Sequence, residues 1–219
     1  MSGPDGEPAM APELADRIEP KPVTSSDVVF EGKVWDVVSE DVDLGRAGTV
    51  TREFVRHPGA VGVLALDDDG RVALVHQYRH PVGMTLWEVP AGLLDVDGEP
   101  PHEAARRELA EESDLQAERW DTLIDWVLSP GGTSEVFRCY LARGLTPVPH
   151  HERHDRDGEE MDMPTHWFDL DEVHAAVLAG RLHSPSLVVA VLAAHAARAQ
   201  GWTTLRPADA PWPEHPKHR

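Results

Sequence analysis

A single cysteine, Cys139, occurs in the 219 residues, so no disulfide can close within the chain and a reducing interior is its simplest setting. No stretch reaches the roughly 18–20 consecutive apolar residues that a membrane-spanning helix needs. The first eight residues, Met1 to Pro8, have neither the basic start nor the apolar run of a secretory signal. Positive charge is scarce: 20 Lys and Arg face 39 Asp and Glu, for a formal net charge of −19. A nucleic-acid backbone or an anionic membrane would repel such a chain, so neither is expected as a partner, and most of the acids serve solubility. Internal repeats are also missing. The expectation is a soluble, cytoplasmic protein.

With 41% hydrophobic residues, the chain can bury one proper core and a small extra layer. Residues 1–24 mix Pro, Gly and acids without hydrophobic period and read as a mobile tail. Three β-rich runs follow at 27–31, 34–38 and 50–55, separated by Gly32-Lys33 and by Gly45-Arg46-Ala47-Gly48. They predict a small antiparallel sheet within 25–57. Residues 59–66 and 71–75 flank the turn tetrad Asp67-Asp68-Asp69-Gly70 and predict a buried hairpin. Further strands are expected at 120–128, 135–141 and 165–170, and helices at 171–179 and 184–199, the last opened by a Ser184 cap with Pro185 at its first position. Strands, a helix, more strands and two closing helices give an α/β fold class: a mixed sheet with helices on both faces over 58–200. Residues 201–219 read as a C-terminal tail.

The stretch from Ala91 to Leu115 organises the rest. Pro100-Pro101 precedes Arg107-Glu108-Leu109-Ala110-Glu111-Glu112, and Pro is tolerated where a helix begins, which predicts a helix over Pro101–Ser113. Glu108, Glu111 and Glu112 then stand at i, i+3 and i+4 and crowd one face. On an open surface such like-charge pairs cost only about 0.2–0.5 kcal/mol each. In a cleft, two carboxylates about 5–6 Å apart at an effective dielectric of roughly 20 repel by about 3 kcal/mol, and a hard divalent cation is the natural compensation. Composition does not choose between the two.

The same stretch resembles the Nudix box, G-x5-E-x7-R-E-U-x-E-E-x-G-U with U a bulky aliphatic residue. Glu99, Arg107, Glu108, Leu109, Glu111, Glu112 and Leu115 fall on it in register. Gly92 lies one residue further from Glu99 than the pattern asks, and Asp114 stands where the final Gly belongs. An extra loop residue is easily absorbed, and Asp can take the left-handed conformation that ends a helix at a cost on the order of 1 kcal/mol.

The resemblance implies the α/β/α sandwich of the Nudix fold and binding of Mg²⁺ or Mn²⁺ by Glu108, Glu112 and the carbonyl of Ala91. It also implies that Glu111 completes the metal cluster or positions water, and that Arg107 forms a structural ion pair with Glu99. The loop 129–135 resembles that of ADP-sugar pyrophosphatases, which makes Glu135 a substrate contact; an ordinary exposed loop acid is the alternative. Arg79 and Arg52 resemble family arginines that reach the diphosphate or the nucleoside, and a surface Arg is the alternative for each. The long polar loop 150–163 carries Glu159 and Glu160, and the resemblance implies that one of them, Glu160 first, orients or deprotonates the attacking water. His150, His151 and His154 are irregularly spaced in a charged loop and are given no role. The N-terminal sheet of such enzymes packs on a second subunit, so a homodimer is expected. The implied reaction is hydrolysis of a nucleoside diphosphate sugar, ADP-ribose before its UDP- or GDP-linked counterparts. A Nudix-fold binding module without turnover is the competing class.

Overall fold

A computed structural model describes residues 14–154 and 163–218. The N-terminal sheet forms as its β-branched runs dictate: β1 (Val23–Phe30), β2 (Asp36–Asp43) and β3 (Thr49–Arg56) pair antiparallel in that order. It starts at Val23, inside the stretch expected to be a tail. Val38 is its one fully buried residue, whereas Val28, Val29 and Phe30 of the edge strand are about half exposed or more.

The central sheet has the order β11-β8-β9-β4-β7, built from β4 (Ala60–Ala65), β7 (Ala91–Leu93), β8 (Leu115–Val127), β9 (Val136–Pro147) and β11 (Arg206–Pro207). β4 and β9 run parallel and the other pairs antiparallel, so the sheet is mixed. A second sheet sets β5 (Arg71–Arg79) between β6 (Met84–Glu88) and β10 (His166–Asp169).

Every residue of β4 is buried, as expected of a strand covered on both sides, and its alternation assigns the layers. Val61, Val63 and Ala65 pack with Ala104, Ala105 and Leu109 of α1 (Pro101–Ser113). Leu64 points the other way, joining Cys139 and Leu141 of β9 against Leu170 and Val173 of α2 (Leu170–Leu178) and Leu187 and Val191 of α3 (Pro185–Ala199). Helix, sheet and helix therefore make the α/β/α sandwich, and α1 has the expected ends. No helix among the described residues is long and apolar enough to cross a membrane.

Three expectations need correction. β4 and β5 are not a hairpin: the turn at 67–70 closes, with Gly70 N–H on the Asp67 carbonyl, but beyond one bridge, Leu66 to Val72, the strands diverge into different sheets. Both are apolar on both faces, so local pattern could not set their partners. Ser184 occupies the cap position of α3 without capping it; its hydroxyl pairs with that of Ser186 at 3.0 Å. Residues 201–217, expected to be a tail, lie on the domain. β11 pairs with β8, and buried Arg138 takes the carbonyls of Ala210 and Pro211 while its guanidinium grips Asp125 at 2.7 and 2.9 Å and lies 4.6 Å over the Trp212 ring.

α1 ends as its sequence departure foretold, with Asp114 left-handed at φ 54° and ψ 34°. Its N–H returns to Ala110, its carbonyl receives the Val148 N–H at 2.8 Å, and its carboxylate lies 3.8 Å from Arg153. A partly exposed pair at that distance contributes little. Asp114→Gly is therefore expected to raise the unfolding free energy by about 0.5–1 kcal/mol, through relief of a side chain held at positive φ. Urea unfolding measures it, and a loss of stability would show that the carboxylate's contacts outweigh the strain.

Candidate active site

β7 and α1 bring the box together. The strand ends beside the helix, and the Ala91 N–H donates to the Glu112 carboxylate at 2.9 Å, which holds that buried side chain against the strand. Gly92 is where Glu108 comes closest. A Cβ there would overlap the Glu108 carboxyl carbon and oxygen, so glycine is needed for close approach and not for its backbone angle.

Arg107 supplies the opposing charge. Its guanidinium holds both oxygens of Glu99, at 3.1 and 3.0 Å, and donates to Glu108 at 2.6 Å and to Glu111 at 3.1 Å. These bonds, the Glu99 pair foremost, raise its pKa further, and it stays charged at every working pH. The expected Glu99 pair is thus present, and the same cation also holds two of the three helix-face carboxylates.

Next to this network lies a cleft of about 400 Å³. Ala91, Gly92, Arg79 and Glu135 all line it, so three sequence-chosen residues and the box glycine converge. Arg79 is held by buried Glu88 through bonds of 3.0 and 2.6 Å, the two-pronged geometry that fixes a guanidinium plane. Glu111 faces a separate depression with Arg107, Glu152, Arg153 and His154. Arg52 does not line the cleft: it is exposed on β3 and donates to the Thr51 carbonyl. Glu159 and Glu160 lie outside the described residues.

Sequence reading missed Glu88, Trp35, His57, Ser184 and Ser186, all of which line the cleft. Glu88 had a signal, an acid in the middle of an otherwise apolar run from Leu86 to Val89. Trp35 and His57 had none, because their stacking, with centroids 5.5 Å apart, joins a loop of the N-terminal sheet to the start of the main domain.

Among the described residues, no three His, Cys, Asp or Glu side chains form a ready cage for a metal. Two carboxylates and a carbonyl, from Glu108, Glu112 and Ala91, are a smaller all-oxygen set. That set fits a hard divalent cation, which completes its shell with water and substrate phosphate. The room that Gly92 leaves for the Glu108 carboxylate supports the fit.

The model described as NUDIX domain matches residues 56–187. The chain is 43% identical over 192 residues to the ADP-ribose pyrophosphatase of Mycobacterium tuberculosis (strain ATCC 25618 / H37Rv), covering 88% of this chain and 91% of that one. It is 36% identical over 163 residues to the methanol dehydrogenase activator of Bacillus methanolicus, covering 74% and 86%. Among solved structures, a crystal structure of an ADP compounds hydrolase superposes with a TM-score of 0.69 over 85% of this chain and 99% of the other; at 21% identity this supports the fold alone.

Burial in the cleft pushes the Glu135 carboxyl above the usual glutamate range. A raised folded pKa means that its contribution to stability is complete below the unfolded value of about 4.3 and is lost as pH rises through the folded value. Glu135→Gln is thus expected to be more stable than the unsubstituted protein at pH 7, with the gap closing toward pH 4. Urea unfolding at both pH values tests this, and a less stable Gln variant at pH 7 would mean that the carboxylate's contacts outweigh its desolvation.

Proposed function

Since the chain belongs to the NUDIX family, we propose that it hydrolyses the diphosphate bond of ADP-ribose to AMP and ribose 5-phosphate, using Mg²⁺ or Mn²⁺. The observation that carries this reading is the 43% identity to an ADP-ribose pyrophosphatase across nearly the whole length of both chains. The box geometry agrees with it: helix-face acids pressed on β7, beside a cleft lined by an oriented arginine.

The division of labour follows from each side chain's surroundings. Arg79, fixed by Glu88, suits two oxygens of a phosphate. Glu135, which lines the cleft, contacts the sugar or phosphate end of the substrate. Glu108, Glu112 and the Ala91 carbonyl hold the cation, and Arg107 keeps Glu108 and Glu111 in place. A bound cation would supply neutralising charge for the diphosphate oxygens; the reaction itself is addition of water to one phosphorus with departure of the bridging oxygen. Glu160, or Glu159 beside it, orients that water and takes its proton. The protein works in the cytoplasm.

It does so as a homodimer. β1 of the N-terminal sheet leaves an apolar edge open to solvent, which a second copy would cover. In that arrangement Arg52 serves the partner's cleft. Light scattering is expected to return about twice 24.1 kDa, and a monomer with full activity would refute the dimer.

Incubation with ADP-ribose and Mg²⁺ should yield AMP, and a chelator should abolish the yield. Glu112→Gln or Glu108→Gln should lower turnover by about 100-fold or more with the fold intact, because each removes one charge from a hard-cation site. Near-normal turnover at saturating Mg²⁺ would refute the ligand assignment, and no AMP from the unsubstituted protein would refute the substrate.

A further inference from the structure

Residues 212–217 run beside two backbone turns that border the cleft. Trp212 and His215 are buried, at 4% and 2% exposure. The His215 Nδ1 accepts the Lys217 N–H at 3.1 Å, which puts the neutral ring's hydrogen on Nε2, where it is donated to the Pro58 carbonyl at 3.0 Å. Gly59 follows at φ 90°, and a Cβ there would strike His215 Nε2. The glycine is therefore required both by the backbone and by the histidine's seat.

The chain of contacts continues into the cleft. The Gly59 N–H donates to His57 Nδ1 at 3.0 Å, which leaves the His57 hydrogen on Nε2 and fixes the ring that stacks on Trp35 as part of the cleft lining. Burial lowers the His57 pKa, which favours the neutral ring. The Gly59 carbonyl accepts the Leu94 N–H at 3.0 Å, and Lys217 Nζ donates to the Leu94 carbonyl at 2.9 Å. Leu94 directly follows β7, whose Ala91 N–H holds Glu112.

We propose that His215 is a positioning residue for the substrate cleft: by holding Pro58 and Gly59 it sets the His57 ring against Trp35, while Lys217 ties the Leu94 turn to the same strap. The inference rests on the pyrophosphatase reading for its substrate. A misplaced wall costs binding more than chemistry, because neither His57 nor Trp35 is assigned to the cation or to the attacking water.

The test compares His215→Gln, whose side-chain amide can still donate to Pro58, with His215→Met, which fills the seat without a donor. His215→Met should raise the KM for ADP-ribose by about tenfold while kcat stays within about threefold, and His215→Gln should stay within about threefold in both. Equal KM in the two variants overturns the proposal. So does failure of either to fold, since that makes His215 a purely structural residue. Imidazole ¹⁵N spectra need no substrate and separate this claim from the choice of ADP-ribose. His57 should hold its Nε2–H form in the unsubstituted protein and in His215→Gln, and lose that single form in His215→Met. An unchanged His57 signal in His215→Met overturns the proposal even if the unsubstituted protein proves inactive on ADP-ribose.

Discussion

Three glutamates on one helix face repel one another, and the rest of the structure depends on how that repulsion is met. Arg107 meets part of it, holding Glu108 and Glu111 from one side while Glu99 balances its charge from the other. Glu112 is met differently, by a backbone N–H of the neighbouring strand. The two solutions set α1 tight against β7, and the missing side chain at Gly92 leaves the space that the Glu108 carboxylate occupies there. Leu109, Ala104 and Ala105 supply the apolar grip of the helix on the central sheet, and large-to-small changes at a site like Leu109 cost about 2–5 kcal/mol. Packing thus holds a charge arrangement that would be unfavourable on its own and leaves it poised for a cation.

Much of this was legible in the sequence because it is local. The limits of α1 and the crowding of Glu108, Glu111 and Glu112 on one of its faces follow from spacing along one helix, whereas the Glu99–Arg107 pair, the turn at Asp114 and the approach of Ala91 to the helix acids came from the resemblance to the Nudix box. The mixed sheet with helices on both faces follows from the order of the elements, strands, a helix, strands and two closing helices. What the sequence hid depends on partners far apart in the chain. β4 pairs with β9 and β7 and not with β5, because a strand apolar on both faces carries no sign of which neighbour it will choose. Glu88 proved to be the anchor of Arg79, and Trp35 and His57 proved to be cleft walls, only once distant strands were set side by side.

The 201–219 segment shows the same limit at its largest. Its prolines and charges suggested a tail, yet buried Arg138 reaches it with two hydrogen bonds and a stacked tryptophan, and Asp125 holds both Arg138 and Arg206. Leaving Asp125 or Arg138 alone in that interior would cost several kcal/mol, so the pair and the strap stand together. The cleft is therefore composite: a loop of the N-terminal sheet gives Trp35, β5 gives Arg79, the loop before β9 gives Glu135, and the strap at 212–217 lies against the turns between them.

The central claim is that the α1 carboxylates, pressed on Ala91 and Gly92, hold a hard divalent cation. Free Mn²⁺ measured by electron paramagnetic resonance, with a non-hydrolysable ADP-ribose analogue present, tests it most directly when the unsubstituted protein is compared with Gly92→Ala. The added Cβ meets only the end of the Glu108 side chain, so the fold survives while the carboxylate is displaced. The account predicts that the unsubstituted protein removes Mn²⁺ from the free signal and that Gly92→Ala needs about tenfold more Mn²⁺ or worse to do the same. Equal Mn²⁺ binding by the two proteins would contradict it.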